Sequence, residues 1–507
     1  MMREIVGHYL DRSSLPDEVE PLKDMIVALK ADNALLREEI EVLKGKVFGH
    51  KSEKSQKKSL KGPEEAANGN RKHPGRQRGK LDWLRERLVY DLPSTQKVCP
   101  HCQSFLSLIG EEVSEQLEWV RPSLKVLEQV RLKYSCQKCH QTVATAPTPY
   151  KPIEKGLAGP HLMAHVVVSK FLDHLPFYRQ EKILNRYGLS LNRSTLCHWI
   201  KATAISLEPL YELLKQELLL GHHLYSDDTR LPTLGVQTET QTNCSKAHQA
   251  HIWVYARDDH HGQKPIVIYE YALGRSGLYP QTFLKDFKGH LQADAYPGYD
   301  KLYLPNDQGN ILRFEVACWA HVRRKFIEAL LVNPQSIAKD IATMIDQLYE
   351  MERNCKEQGL SPQVLKEQRQ QKSQPILDKI HHWLIVHQPK VVPKSLLGKA
   401  IHYTLDNWSA LTEFVKHGHL AIDNNFSERN IKLIVMGRKN YLFAGSPKGG
   451  KWAAILYSLI QTCQLNGVNP EEYLADVLLR IQYHPQAKAK ELLPPYWQKP
   501  QTQHQAA

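Results

Sequence analysis

The first apolar repeat in the chain is seven residues long. Leu22, Leu29, Leu36 and Leu43 recur at that interval, and Ile26, Asn33, Ile40 and Val47 lie four residues after each. Leucine at d, β-branched residues at three a positions and one a-position Asn predict a parallel two-stranded coiled coil, the Asn fixing register and strand number. A strict seven-residue period over four heptads exceeds what one 3.6-period face needs. The period then changes. Residues 157–220 read as helices, and within "RQEKILNRYGLSLNRSTLCHWI" one helix ends at Gly188 while Asn192 or Ser194 caps the next. That is helix-turn-helix spacing, with Arg193, Ser194, Thr195 and His198 at the exposed start of the second helix.

From about residue 222 the period becomes two. "HHLYSDDTRLPTL", "AHIWVYARDD" and "PIVIYEYALGR" predict three strands, "YPQTFLKDFKG" a helix, and "HLQADAY" and "ILRFEVACWAH" two further strands. Strands interleaved with a helix predict an α/β domain on a mixed sheet. A second helical block runs from 323 to 418, where "SIAKDIATMIDQLYEM" repeats at i, i+3, i+4 and the glutamine-rich "KEQRQQKSQP" reads as a loop. Compact structure resumes in "LAIDNNFSERNIKLIVMGRKNY", with Asp423 or Asn424 as N-cap and Glu428 in the first turns of a helix. The tail "PQAKAKELLPPYWQKPQTQHQAA" departs from compact composition and is expected to fray.

Charge adds a partner. The net charge is +13, and residues 51–80 hold ten Lys and Arg against three Glu with almost no large apolar residues. Such a segment reads as a disordered basic linker suited to a polyanion. No apolar run approaches a spanning helix and the first residues lack a secretion signal, so the expected location is the cytoplasm, with no membrane partner.

Four of the nine cysteines stand in two pairs, Cys99 and Cys102 in "CPHC" and Cys136 and Cys139 in "CQKC", joined by a segment that alternates like strands. Two such knuckles predict a Cys₄ site for structural Zn²⁺, closed to chemistry because every ligand position is used. The patterns thus divide the chain into a coiled coil (1–50), a basic linker (51–90), a zinc ribbon (91–150), a helix-turn-helix-like DNA-binding domain (151–220), an α/β core in two parts (221–322 and 419–480) around a helical insertion (323–418), and a tail (481–507).

Acids at strand ends are costly unless compensated. Asp227 or Asp228 on the first core strand, Asp294 at the end of the fourth and Glu428 on the later helix could converge; three neighbouring carboxylates raise one another's pKa. A divalent cation is the natural compensation, and Mg²⁺ or Mn²⁺ held this way serves phosphodiester chemistry.

The runs "SDDT", "LQADAYPGYDKLY", "ACWAHVRRKF", "DNNFSERNIK", "GRKNYLFAGSPKGGKWAAILYSLIQTCQLNGVNPEEYLADVL" and "ELLPPYW" resemble the transposases of the insertion sequence 66 family over nearly the whole chain. The resemblance implies a ribonuclease H-like fold with a DDE triad and a helical insertion before the glutamate. Carried over by motif, the triad is Asp227, the first Asp of "SDDT", with Asp294 and Glu428; only the resemblance chooses Asp227 over Asp228. Cys318 and His321 match a C-x-x-H signature of many DDE transposases, and no metal is assigned to them. The implied activity is cutting at terminal inverted repeats followed by strand transfer, in the bacterial cytoplasm at the nucleoid. The implied partners are transposon-end and target DNA, a second protomer through the zipper, and small accessory proteins of the same element. Arg438, Lys439, Lys448 and Lys451, in the Gly-rich segment after the catalytic helix, read as phosphate contacts. Two other readings share these features: a DNA-binding regulator or domesticated remnant, and a ribonuclease H-like nuclease without strand transfer.

Overall fold

The computed structural model describes residues 151–500, apart from 154–155, 238–246 and 260–261, together with 124–135, 143–145 and a few helical positions between 29 and 40. Most of the expected coiled coil, the basic linker and all four CxxC cysteines lie outside the described residues. Strands β1 (Lys133–Ser135) and β2 (Val143–Thr145) pair antiparallel, Lys133 opposite Thr145. The segment joining them contains Cys136 and Cys139.

Three helices follow: α1 (Pro160–Phe171), α2 (Phe177–Arg186) and α3 (Arg193–Leu219). Gly188, between α2 and α3, has φ +86°, which only glycine adopts without strain. The five expected strands form one sheet: β3 (His223–Thr233), β4 (His248–Arg257), β5 (Ile266–Ala272), β6 (Gly289–Gln292) and β7 (Arg313–Val316). Their spatial order is β5-β4-β3-β6-β7. The first three run antiparallel as a meander, whereas β6 lies parallel to β3, with His223 opposite His290, and β7 parallel to β6. A parallel neighbour needs a crossover. It is supplied by α4 (Leu278–Phe283), whose Phe283 stacks on Tyr255 of β4 with ring centroids 3.7 Å apart.

The insertion consists of α5 (Trp319–Val332), α6 (Ala338–Glu357), α7 (Pro362–Gln368), α8 (Gln374–His387), α9 (Leu396–Asp406) and α10 (Trp408–Lys416). It has its own core, including Phe326, Ile345, Leu384, Ile401 and Phe414, which also draws on Val316 and Trp319 before residue 323. The expected glutamine-rich loop is not a loop. A single π turn, Arg369–Ser373, joins α7 to α8 without a break. Arg369 is buried there, donating from Nε and Nη2 to both oxygens of Glu352 at 2.8 Å and from Nη1 to the carbonyls of Phe414 and His417. Gln370 and Gln371 face solvent, so their polarity marks the outer side of a helix.

Helices α11 (Asn425–Tyr441), α12 (Pro447–Leu465) and α13 (Pro470–Arg480) share the larger core with the sheet and α1–α3. Helix α12 covers the open edge of β5 with side-chain hydrogen bonds. Ser458 and Thr462 accept from the Tyr269 and Val267 amides at 2.8 and 3.1 Å, and Asn466 donates to the Pro265 carbonyl. An exposed strand edge is thereby satisfied.

The tail also differs from expectation. Residues Gln486–Leu492 form a 3₁₀ turn, Leu492 and Leu493 are buried, the Tyr496 hydroxyl donates to Glu217 at 2.6 Å, and Trp497 Nε1 donates to Asp476 at 2.7 Å. A few well-spaced apolar anchors hold a segment whose average composition is polar. Among the described residues, no helix is long and apolar enough to cross a membrane.

Candidate active site

Strand β3 lies in the middle of the sheet, between β4 and β6, and carries Asp227 and Asp228 at its centre. Alternation sends their side chains to opposite sides. Asp228 is almost fully covered and accepts from His251 Nδ1 at 2.6 Å and Arg275 Nε at 2.7 Å. Asp227 has a different environment: its carboxyl is pushed up to about 8, first by burial and then by Asp294, with Asp228 and Glu428 adding to the rise. The Asp228 amide, donating to Asp227 Oδ1 at 2.7 Å, works in the opposite direction.

Asp294 sits two residues beyond β6, just after the last ladder bond from the Ala293 amide to the Val316 carbonyl. Ala295 then turns the chain with φ +58°, an αL conformation that costs a non-glycine residue on the order of 1 kcal/mol. The turn is held from two directions. Tyr403 of α9 donates to the Asp294 carbonyl at 3.3 Å, and a Cβ on Gly277 would come within 2.4 Å of the Gly298 carbonyl oxygen. That close approach brings the loop carrying Arg275 against the turn after Asp294. The Arg275 guanidinium lies 4.1 Å from the Tyr296 ring, and its Nη2 is 3.7 Å from Asp294.

Glu428 is placed by Asn424, the residue immediately before α11. The fully buried Asn424 donates from Nδ2 to the Ser226 carbonyl at 2.9 Å, and its amide donates to Cys318 Sγ at 3.2 Å. One side chain therefore ties the start of α11 to the residue preceding Asp227. Asp423, the other expected cap, accepts from the Asn425 amide at 3.1 Å. Glu428 faces two side chains of α5, the His321 imidazole through Nε2 and the Arg324 guanidinium through Nη2, each at 3.7 Å. His321 is held below its ordinary pKa by burial and by Arg324, against the pull of Glu428 and Asp294. Cys318 is buried, and its thiol is pushed up to about 12, chiefly by that burial.

The three acids thus come together electrostatically from β3, the end of β6 and the first turn of α11. Their oxygens do not all lie within 4.8 Å of one another. Sequence reasoning singled out the three acids and did not single out Arg275, Arg324 or Tyr403, which contact them. The "ACWAHVRRKF" run held a signal for Arg324, three residues after His321 on one helix face.

The expected DNA contacts divide into two groups. Arg193, Ser194 and His198 are exposed at the start of α3, Thr195 is partly covered, and Arg193 pairs with Glu181 of α2 at 3.1 Å. Lys439, Lys448 and Lys451 are exposed. Arg438 instead donates to the Arg230 carbonyl and to Thr229, fastening the end of α11 to β3. That engagement gives Arg438 a structural role.

Comparison with known proteins places these features in one family. The model described as "Transposase IS66 family" matches residues 155–452, "zinc-finger binding domain of transposase IS66" matches 96–140, which spans all four CxxC cysteines, and "IS66 C-terminal element" matches 458–494. Among proteins of Sinorhizobium fredii (strain NBRC 101917 / NGR234), the uncharacterized protein y4jD is 33% identical over 490 residues, covering 93% of this chain and 94% of its own. The uncharacterized protein y4hP is 33% identical over 444 residues, covering 85% and 78%. The three family matches follow one another from the cysteine segment through the sheet and insertion to the last helices, and the first alone takes in more than half of the chain, which belongs to the IS66 family of transposases.

Proposed function

We propose that this transposase is a DDE enzyme with a ribonuclease H-like core, which binds the terminal inverted repeats of its element, cuts the DNA at the element's ends and joins the freed 3′ ends to target DNA. The observation that carries the reading is the surroundings of Asp227, a partly buried carboxyl pushed up to about 8 by desolvation and by two acids from distant parts of the chain. Like charges gathered in a covered site call for a cation. The donor set is all carboxylate oxygen, which suits hard Mg²⁺ or Mn²⁺, and Mg²⁺ needs only one or two carboxylates beside water and substrate phosphate. Asp227, Asp294 and Glu428 would hold such ions; bound there, they would supply Lewis-acid stabilisation of the attacking and leaving oxygens.

The remaining work falls to the protein's own groups. Arg275 and Arg324, each with 44% of its side chain exposed, flank Asp294 and Glu428 and would bind the phosphates on either side of the cut. Asn424 and Tyr403 hold the second and third acids in place, so that positioning is prepared before substrate arrives. The order β5-β4-β3-β6-β7, with a meander followed by two parallel strands, supports the ribonuclease H-like assignment.

Cys99, Cys102, Cys136 and Cys139 would hold a structural Zn²⁺, a reading supported by the zinc-finger match over 96–140. The start of α3 and the Lys439, Lys448 and Lys451 group would contact DNA. Dimerisation through the zipper is supported by the helical positions there, where Leu29, Leu36 and Ile40 are exposed. The test incubates the full-length protein and Mg²⁺ or Mn²⁺ with DNA carrying the repeats that flank its gene, beside an Asp294→Asn variant. Release and joining of 3′ ends by the wild type alone supports the reading. Equal binding by both proteins with cutting by neither, accessory proteins supplied, overturns it in favour of a DNA-binding regulator.

A further inference from the structure

Away from the acids, near the opposite end of β6, two imidazoles converge on one carboxylate oxygen. His290 Nε2, from β6, lies 3.8 Å from Glu413 Oε1, and His417 Nε2 lies 3.3 Å from the same atom. Glu413 and His417 are four residues apart, on α10 and just past its end, so they share one face. One atom from each of the three residues lies within 4.8 Å of the other two. The His290 and His417 rings have centroids 4.6 Å apart.

These separations are long for a histidine–carboxylate hydrogen bond, which this protein makes at 2.6 Å between His251 and Asp228. They bracket the edge of a coordination tetrahedron: metal–ligand bonds of about 2.0–2.2 Å put neighbouring donors about 3.4 Å apart. The other carboxylate oxygen is already engaged, because Lys416 Nζ bonds Glu413 Oε2 at 2.7 Å. That contact orients Oε1 toward the imidazoles, as an outer partner orients a metal ligand. His419 stands close by, its ring 5.3 Å from both His290 and His417.

We propose that His290, Glu413 and His417 form a binding site for a borderline transition-metal ion such as Zn²⁺, separate from both the carboxylate site and the cysteine ribbon. Two imidazoles and a carboxylate are the donor set of such ions rather than of Mg²⁺. The site bridges β6, which leads to Asp294 four residues after His290, and the end of the insertion, which leads to α11 and Glu428. A metal there clamps the insertion to the strand that carries one of the acids. The inference rests on this local geometry and stands whether or not the protein performs strand transfer.

The test uses the full-length protein carrying Asp294→Asn, which weakens any binding at the carboxylate site, with zinc loaded into the ribbon and loosely held metal removed. Co²⁺ is then titrated and its visible absorption followed. The expected result is one saturable equivalent with the d–d spectrum of low-coordinate cobalt and no thiolate band. His290→Asn and Glu413→Gln should abolish it, and Lys416→Met should weaken it about tenfold. A His417→Cys variant keeps three donors and should acquire a thiolate-to-cobalt band, which guards against loss through misfolding. No saturable equivalent in the parent, unchanged uptake in the His290 and Glu413 variants, or a folded His417→Cys protein without the new band would each overturn the proposal and leave the trio as an ion-paired helix end.

Discussion

The two sides of β3 present the same side chain in opposite electrostatic settings. On one side Asp228 is enclosed by His251 and Arg275, at 2.6 and 2.7 Å. On the other, Asp227 is partly buried beside acids that push its carboxyl up. A buried charge that the fold satisfies is part of the scaffold. One that the fold leaves under like-charge repulsion is costly, and it persists where something outside the chain compensates it. Sequence alternation distinguishes two sides of a strand but not which side is compensated; the partners that decide lie 23 and 47 residues away along the chain.

The largest effect separating the two sides is on activity. Asp227→Asn should abolish metal-dependent cleavage of end-bearing DNA while leaving the thermal midpoint of the metal-free protein unchanged or higher. Losing a metal-holding carboxylate removes several kcal/mol of transition-state stabilisation, about 10³-fold or more in rate. If Asp228→Asn loses cleavage and Asp227→Asn keeps it in a gel assay of strand cutting, the roles of the two residues are exchanged.

The next contrast is in pH. The folded-state value of Asp227 is raised from 3.8 to about 8. Between those values the folded protein keeps a proton that the unfolded chain has released, so this group makes stability fall as pH rises from about 4 to about 8, and the effect levels off above. The slope from one such group is at most about 1.4 kcal/mol per pH unit. Thermal midpoints at pH 5.5 and 8.5 without divalent metal should therefore differ more in the wild type than in Asp227→Asn, where the group no longer titrates. An identical pH difference in the two proteins would show that Asp227 ionises normally.

On the compensated side the expected loss is in stability. Asp228→Ala leaves His251 and Arg275 without their carboxylate. Breaking a buried pair costs about 3–5 kcal/mol, and because Arg275 is 44% exposed, solvent screening brings the expected cost to about 2–3 kcal/mol. The midpoint of the sheet's unfolding transition should drop. Cleavage should fall less than in Asp227→Asn, because Arg275 also reaches Asp294.

Much of this architecture was legible in the chain, for reasons that particular residues show. The nearly continuous apolar and aromatic runs "HIWVYAR" and "IVIYEYA" announce β4 and β5 because both strands are buried on their two faces, and the positive φ of Gly188 marks a turn that glycine advertises. What was not legible depends on partners far along the chain. Ser458, Thr462 and Asn466 look like polar interruptions of an apolar helix until the edge of β5 is seen to need them. Arg369 looks like part of a loop because the Glu352 that neutralises it lies 17 residues back. The polar tail was expected to fray because averaging hides Leu492, Leu493, Tyr496 and Trp497 among lysines and glutamines. Arg438 was read as a phosphate contact because its acceptors belong to β3, more than 200 residues earlier.

The smallest expected effects lie at the start of α12, where the contrast between satisfied and unsatisfied charge appears again at the surface. Ser446 caps this helix, its Oγ accepting from the Gly449 amide at 3.0 Å, and Ser446→Ala should cost about 1 kcal/mol. Lys448 and Lys451, in the same two turns, oppose the positive end of the helix dipole, and the first turn holds no acidic residue to offset them. Removing Lys448 should therefore stabilise the free protein by a few tenths of a kcal/mol, about 0.3–1 at most. If the residue faces a DNA phosphate, Lys448→Ala should at the same time weaken end binding and reduce the slope of log affinity against log salt by about 0.9. A variant that is slightly more stable and binds DNA with an unchanged salt slope would assign Lys448 to the solvated surface. One that is more stable and binds with a shallower slope would show that this helix start, like Asp227, bears a cost in the free protein that its ligand removes.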